Sequence, residues 1–328
     1  MSDFYPLYSV LIRSYNTREF IGTAIRSVFA QTYPNLEVVI SDDASTDGSW
    51  DVIQSEVACC PKHISLKVSR NPKSLGPIRN LWKSLQLTTG EVVVISDGDD
   101  ISLPQRVEKI HQTFLENGPD TVCVWSRYQV IDAEGNTLDE YGDDKFEADL
   151  RRVPQTLDDF TPQKLRKAWH THGAISAYKR ETFEHFGGFI KDTILSFNAV
   201  LLGKNVCCKE ILVQYRTHPK SITFAPEKED IAEEYHTCIR GDLVGLQTLT
   251  QAITNIYLFL QTNPQKEKTL NSIQSAMIRH LKRTLVSYEI KSTFPNLSLR
   301  TIFRTIPYIS FYRHIVRAIL YRLGKHRK

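Results

Sequence analysis

An α/β fold built on a Rossmann-like, mostly parallel sheet with flanking helices is expected for this 328-residue chain, and three observations carry the expectation. Short β-branched runs alternate with helix-period stretches through residues 1–100, at the spacing of parallel strands joined by crossover helices. Several of those runs end in polar, acid-bearing loops, the place where open α/β sheets hold their ligands. From about Ile231 the pattern turns helical, which adds a C-terminal helical extension.

The elements follow in order. Residues 8–12 form a strand-like run. Asn16-Thr17-Arg18-Glu19 then has the spacing of a capping box ahead of a helix with Phe20, Ile21, Ala24, Ile25, Val28 and Phe29 on one face. Residues 36–41 predict a second strand, and the 43–48 turn leads to a helix near 49–57. A third strand is expected at 64–69 and a helix at 77–87, before the apolar run 91–96 bounded by Gly90 and Gly98. Pro104 suits the first turn of a helix reaching about Asn117. Residues 121–131 predict a strand reversed by the turn at 132–136, and the polar, poorly periodic stretch 139–160 predicts a surface loop. A second compact portion is then expected: strand 173–178, helix 180–186, a Gly187-Gly188-Phe189 turn, helix 194–202 and strand 208–216 ending at Thr217-His218. These features set boundaries of 1–225 for a main domain, with halves at 1–100 and 101–225, and 226–328 for the helical region.

With 41% hydrophobic residues the chain can bury a substantial core. No run reaches the roughly 18 apolar residues that span a bilayer, and no basic-then-apolar leader opens the chain, so neither spanning nor export is expected. Six cysteines, including the pairs Cys59-Cys60 and Cys207-Cys208 but no C-x-x-C, point to free thiols in a reducing cytoplasm. Charge is uneven. Glu289 is the last acid and nine of the 41 basic residues follow it, leaving a mildly acidic body and a strongly basic tail. A helix after Pro307 would put Ile309, Tyr312, Val316, Ile319, Leu320 and Leu323 on one face and Arg313 and Arg317 opposite. That is the pattern of an interfacial helix, with an anionic membrane surface as partner and a docked helix with a solvated basic face as the alternative.

The junction of residues 91–100 carries the chemistry. A buried-type strand runs into Asp97, Asp99 and Asp100, and carboxylates this close repel one another unless a cation compensates, so Mn²⁺ or Mg²⁺ is the natural guest. An isolated D-x-D-D reads as readily as a solvated turn. Here two more loops, Ser14-Tyr15-Asn16 and residues 41–48, follow strands that a parallel sheet would bring to the same edge. Asp43 could accept from a base N–H or a ribose hydroxyl, and Arg79 could neutralise phosphate. Asp42 to Asp47 also suits a helix-capping turn. The series Asp43, Ser45, Asp47, Gly48 imitates an EF-hand loop, but Gln54 occupies the twelfth position, so calcium is not expected.

Taken together, these segments resemble a family 2 glycosyltransferase of the GT-A fold over residues 8–225. The resemblance rests on 9–12 with Ser14-Tyr15-Asn16, residues 27–37, 42–49, Gly76-Pro77-Ile78-Arg79-Asn80, 89–100, Phe186-Gly187-Gly188-Phe189 and 212–218. It implies that Asp43 and Arg79 contact the nucleotide, with Asp42 beside them and Tyr15 beneath the base. It also implies that Asp97 faces the ribose and metal region, that Asp99 ligates the metal with His218, and that Asp100 extends the cluster. The family's Glu-Asp pair after the Gly-Gly-Phe turn is here Lys191-Asp192, so Asp192 is the candidate catalytic base and one acid is lost. A helix N-cap is its other reading. Trp169, His170 and His172 are weaker candidates for an acceptor groove.

The function these readings imply is inverting transfer of a sugar from a nucleotide-diphosphate donor, with UDP the commonest base in the family. The acceptor would be a hydroxyl of a saccharide, lipid-linked or free, in surface polysaccharide assembly, and the location cytoplasmic and peripheral on the inner face of the cell membrane. Two alternatives stand beside it. A metal-dependent nucleotidyltransferase would want a glycine-rich triphosphate loop, and residues 13–18 hold no glycine. A non-catalytic polyanion-binding protein would want basic and aromatic residues interleaved in the body, which are lacking, so no nucleic acid is expected as partner.

Overall fold

The structure is a computed structural model; it describes residues 5–140, 150–151, 153–159, 173–189, 191, 193–219, 221 and 231–293, without the side chains of 139–140, 231–242 and 286–293. The chain divides into two compact units, Met1–Lys220 and Ser221–Lys328.

In the first unit the described residues form a nine-stranded sheet flanked by helices. Its parallel part is built from β1 (Tyr8–Ser14), β2 (Leu36–Asp42), β3 (Ser65–Arg70) and β4 (Val92–Asp97), connected through α1 (Ile21–Phe29), α2 (Ser49–Val57) and α3 (Pro77–Leu85). The chain then adds β5 (Ile101–Ser102), α4 (Arg106–Asn117), β6 (Thr121–Ile131) and β7 (Thr137–Glu140). After a 3₁₀ turn at Gly173–Ile175 come β8 (Ser176–Lys179), α5 (Glu181–Glu184), α6 (Thr193–Leu202) and β9 (Lys204–Arg216). Strand order is β3-β2-β1-β4-β8-β6-β9-β5, with β7 on β6. Every residue of β2 is buried, and Val38, Val39 and Ile40 are fully so. Such strands are apolar runs rather than alternating ones because helices cover both faces of a parallel sheet. Each fully buried Val or Ile there contributes about 1.5–3 kcal/mol.

Strand direction places the site. β8 pairs antiparallel with both β4 and β6, and β9 pairs parallel with β6, so β9 runs the same way as β4. Its C-terminal end, residues 216–218, therefore reaches the edge where β1, β2 and β4 end. Strands β8 and β9 thus continue the same sheet.

Other differences are local. No capping box forms: α1 starts at Ile21 with no side-chain cap, and Asn16 lies in the left-handed region (φ 53°) with its side chain accepting from Thr46 N–H at 2.9 Å. Tertiary bonding between the β1 and β2 loops outcompetes the local cap. Part of the expected surface loop is β7, which pairs with β6, and residues 173–175 form a 3₁₀ turn before a shorter strand.

At the opposite end of the sheet Glu37, 1% exposed, holds three segments together. Its carboxylate accepts from Ser9 Oγ, Lys67 Nζ at 2.6 Å, and Thr89 N and Oγ1, both at 2.8 Å. Burial alone pushes the Glu37 carboxyl up, but the bonds from Lys67, Ser9 and Thr89 outweigh it and hold the pKa below the ordinary 4.5. A depressed carboxyl stabilises the fold above its unfolded pKa and loses that contribution as pH falls through its folded value. Glu37→Gln should cost about 1–3 kcal/mol at pH 7. The gap from the wild type should narrow as pH drops below 4.5, as urea melts across that range would record.

In the second unit, α7 (Ile231–Thr262) and α8 (Glu267–Thr293) pack along Leu249, Ala252, Ile256 and Phe259 and along Leu270, Ile273, Ala276 and Met277, all buried. Residues 243–262 carry no charge, and by length and composition this stretch of helix could cross a membrane, with 33% of its most apolar window buried. The sequence reading missed it because Gln247, Gln251 and Asn255 interrupt the apolar run. The basic segment after Pro307 lies outside the described residues.

Candidate functional site

Strand β4 delivers Asp97 in register with Arg13 of β1. Arg13 donates to a single oxygen of Asp97, Oδ1, through Nε at 2.8 Å and also through its terminal Nη2. Gly98 follows, and a Cβ there would meet Arg13 O at 2.7 Å and Ile21 Cδ1 at 3.0 Å, so the residue between the two acids must be glycine to let the β1 backbone approach.

Asp99 comes next. Its Oδ2 lies 3.2 Å from His218 Nε2, across 119 residues of sequence. Burial first, then the neighbouring Asp97 charge, raise the Asp99 pKa, with His218 acting in the other direction. His218 is 93% buried, and its ring packs against Phe20 at a tilt of 38° with centroids 4.6 Å apart. Asp100 is buried deeper still. Its Oδ1 accepts the Arg216 N–H at 2.8 Å, while its Oδ2 has no hydrogen-bond partner. Burial, with Asp99 and Asp97 adding to it, pushes the Asp100 pKa well above the ordinary value.

Beneath the acids lies Arg106, fully enclosed. It donates to Ser102 Oγ at 2.9 Å, Ile95 O at 2.9 Å and Ala174 O at 2.7 Å, and burial brings its pKa down to about 10 against the pull of Asp100 and Asp97. Arg106→Met removes the guanidinium's hydrogen bonds to two main-chain carbonyls and one hydroxyl, so we expect a loss on the order of 3 kcal/mol, read as a lower urea midpoint.

The nucleotide-side candidates gather on the loops after β1 and β2. Tyr15 is 53% exposed at the rim. Asp42 is fully buried and works inward, accepting from Ser45 N and Oγ, with Arg70 at 3.3 Å. Asp43 is also buried and its acceptor capacity is taken: Asn71 Nδ2, Ser74 Oγ, Leu75 N and Gly76 N all donate to it, at 2.8–3.1 Å. These bonds tie the β2 loop to the N-terminus of α3, which carries the exposed Arg79 one turn in. Asp192, Trp169, His170 and His172 lie outside the described residues.

The structure therefore brings Asp97, Asp99, Asp100 and His218 to one sheet edge, with the β1 and β2 loops beside them. Among the described residues no set of three or more His, Cys, Asp or Glu side chains is arranged to hold a metal. Asp97 is engaged with Arg13 and Asp100 is turned inward, which leaves Asp99 and His218 as the facing pair. That donor set fits Mn²⁺ or Mg²⁺ bound through one carboxylate and one imidazole, with a ligand's phosphates and water completing the shell. A cation there would also relieve the crowding that raises Asp99. Sequence reasoning missed Arg13, Phe20, Arg106 and Arg216. The signal available for Arg216 was its place two residues before His218.

Residues 9–187 match the family model described as glycosyl transferase family 2. An uncharacterized glycosyltransferase of Nostoc sp. is 31% identical over 222 residues, covering 64% of each chain. A putative teichuronic acid biosynthesis glycosyltransferase, TuaG of Bacillus subtilis, is 30% identical over 143 residues, 43% of this chain and 54% of that one. The chain thus spans less than two thirds of the length of these curated relatives. Among solved structures, the mannosyltransferase PcManGT from Pyrobaculum calidifontis, in complex with GDP-Man and Mn²⁺, superposes with a TM-score of 0.53 at 20% identity, over 94% of this chain and 81% of that one. At that identity the likeness concerns the fold, which is of the GT-A type.

Proposed function

The chain belongs to glycosyl transferase family 2, and from that premise we propose that it transfers a sugar, with inversion, from a nucleoside-diphosphate donor to a saccharide hydroxyl. The observation that carries the reading is the meeting of Asp99 and His218 at the sheet edge, 3.2 Å apart, beside the β1 and β2 loops. Asp99 and His218 would hold a divalent cation on the donor diphosphate. When bound, that ion supplies Lewis-acid stabilisation of the charge developing on the leaving group.

The remaining roles belong to the chain itself. Arg13 fixes Oδ1 of Asp97 and leaves the carboxylate's other oxygen to face the ribose. Arg79 binds the nucleotide side of the donor. The Asp43 carboxylate accepts a base N–H once the 74–76 loop yields part of its hydrogen bonding, with Tyr15 against the base. Asp192 takes the acceptor proton while the hydroxyl attacks the anomeric carbon from the face opposite the leaving diphosphate. One displacement inverts the configuration and needs no carboxylate nucleophile. UDP is the donor nucleotide we favour, and Asp100 acts behind the ligand pair. The acceptor groove would include Trp169, His170 and His172. The domain would extend over 1–225, with 226–328 carrying the membrane-facing tail. Likeness to a protein named for teichuronic acid biosynthesis supports a saccharide acceptor in surface polysaccharide assembly, on the inner face of the cell membrane.

The test is a panel of nucleotide sugars scored by thermal stabilisation and by slow donor hydrolysis, with and without Mn²⁺. One nucleoside diphosphate sugar should stabilise the protein in a Mn²⁺-dependent way. A panel without any stabilising member in the presence of Mn²⁺ would remove the reading.

A further inference from the structure

Arg216 occupies an unusual position for the last residue of a strand. It is 5% exposed, and its guanidinium donates to main-chain oxygens of two separate segments. Nε bonds Asp99 O at 2.9 Å, while Nη1 bonds Asp132 O at 2.8 Å and Ala133 O at 2.7 Å in the β6–β7 turn. Its own N–H donates to Asp100 Oδ1 at 2.8 Å. The guanidinium carbon also lies 4.9 Å from the centre of the Phe20 ring, and that ring packs on His218 with centroids 4.6 Å apart. One side chain therefore touches the backbone of Asp99 and the aromatic ring that packs on the imidazole facing Asp99.

We propose that Arg216, with Phe20, is a positioning residue that sets the distance between the Asp99 carboxylate and the His218 imidazole and so determines divalent-cation affinity. The inference rests on the reading of Asp99 and His218 as the cation-holding pair. A planar fork with several fixed donors can bond two segments and stack on a ring at once, whereas a lysine ammonium can take one or two of those carbonyls and has no flat face to stack. Groups that orient metal ligands from behind typically control affinity by about 10- to 100-fold.

The probe is Mn²⁺ itself, titrated into the full chain in the presence of UDP and of GDP, with free Mn²⁺ followed by electron paramagnetic resonance. Arg216→Lys should weaken Mn²⁺ binding by about 10-fold or more. Phe20→Leu, which keeps every Arg216 hydrogen bond, should weaken it by a smaller factor and guards against a lysine variant that fails to fold. The deciding measurement is coupling: in a His218→Ala background, Arg216→Lys should cost a clearly smaller factor than it costs in the wild type, because only the Asp99 side of its support is left to lose. Unchanged affinity in both Arg216→Lys and Phe20→Leu overturns the proposal while leaving the cation pair intact. Fully additive losses in the double variant also overturn it, because Arg216 then acts independently of His218. A wild-type chain that binds no Mn²⁺ with either nucleotide overturns the pair, and the proposal with it.

Discussion

Asp99→Ala is expected to abolish Mn²⁺-dependent donor stabilisation and to lower kcat/KM by at least about 10³-fold. The size follows from what the carboxylate does at this position. It is the acid of the cluster that faces His218, since Asp97 is held by Arg13 and Asp100 is buried against the Arg216 main chain. Neither neighbour can substitute without breaking a bond that positions the loop. Removing one of three crowded carboxylates also relieves repulsion in the folded state, so the melting temperature should hold or rise. A large loss of activity with an undiminished melting temperature separates a ligand role from a structural one. If the variant keeps Mn²⁺-dependent donor binding, the pair is misassigned.

The contrast between Asp99 and Arg216 shows what a sequence carries and what it withholds. Strands β1, β2 and β4 were legible because residues 8–12, 36–41 and 92–95 are apolar runs of strand length, each delivering polar residues at its C-terminal end. Parallel pairing then forced those ends onto one edge, so the gathering of Tyr15, Asp42, Asp43 and Asp97 followed from topology. His218 was accessible through its motif alone, since its presence at that edge depends on the direction of β9, fixed by two antiparallel pairings of β8. The roles of Arg106 and Arg216 were not legible because most of their partners are main-chain oxygens, which every residue has. The same reason hides the inward engagement of Asp43: its donors include the N–H groups of Leu75 and Gly76, indistinguishable in sequence from any others. Asn16 failed as a cap for a related reason, since its side chain is used by Thr46, 30 residues away.

Asp192→Asn should leave nucleotide and Mn²⁺ affinity as in the wild type and lower transfer by about 10²- to 10⁴-fold, the range for removal of a general base. In sequence Asp192 directly precedes α6, whose residues 193–201 are all buried. Upstream, Gly187 adopts φ 70°, a Cβ on Gly188 would lie 3.5 Å from the Trp82 ring, and that ring meets Phe189 edge-on at 5.8 Å. Asn at 192 tests the other reading as well. Asparagine caps helices as well as aspartate does, so the variant retains a cap and loses only the proton acceptor. A drop in transfer with unchanged melting assigns the acid to the chemistry, whereas full transfer activity in Asp192→Asn would move the base to another residue of the edge.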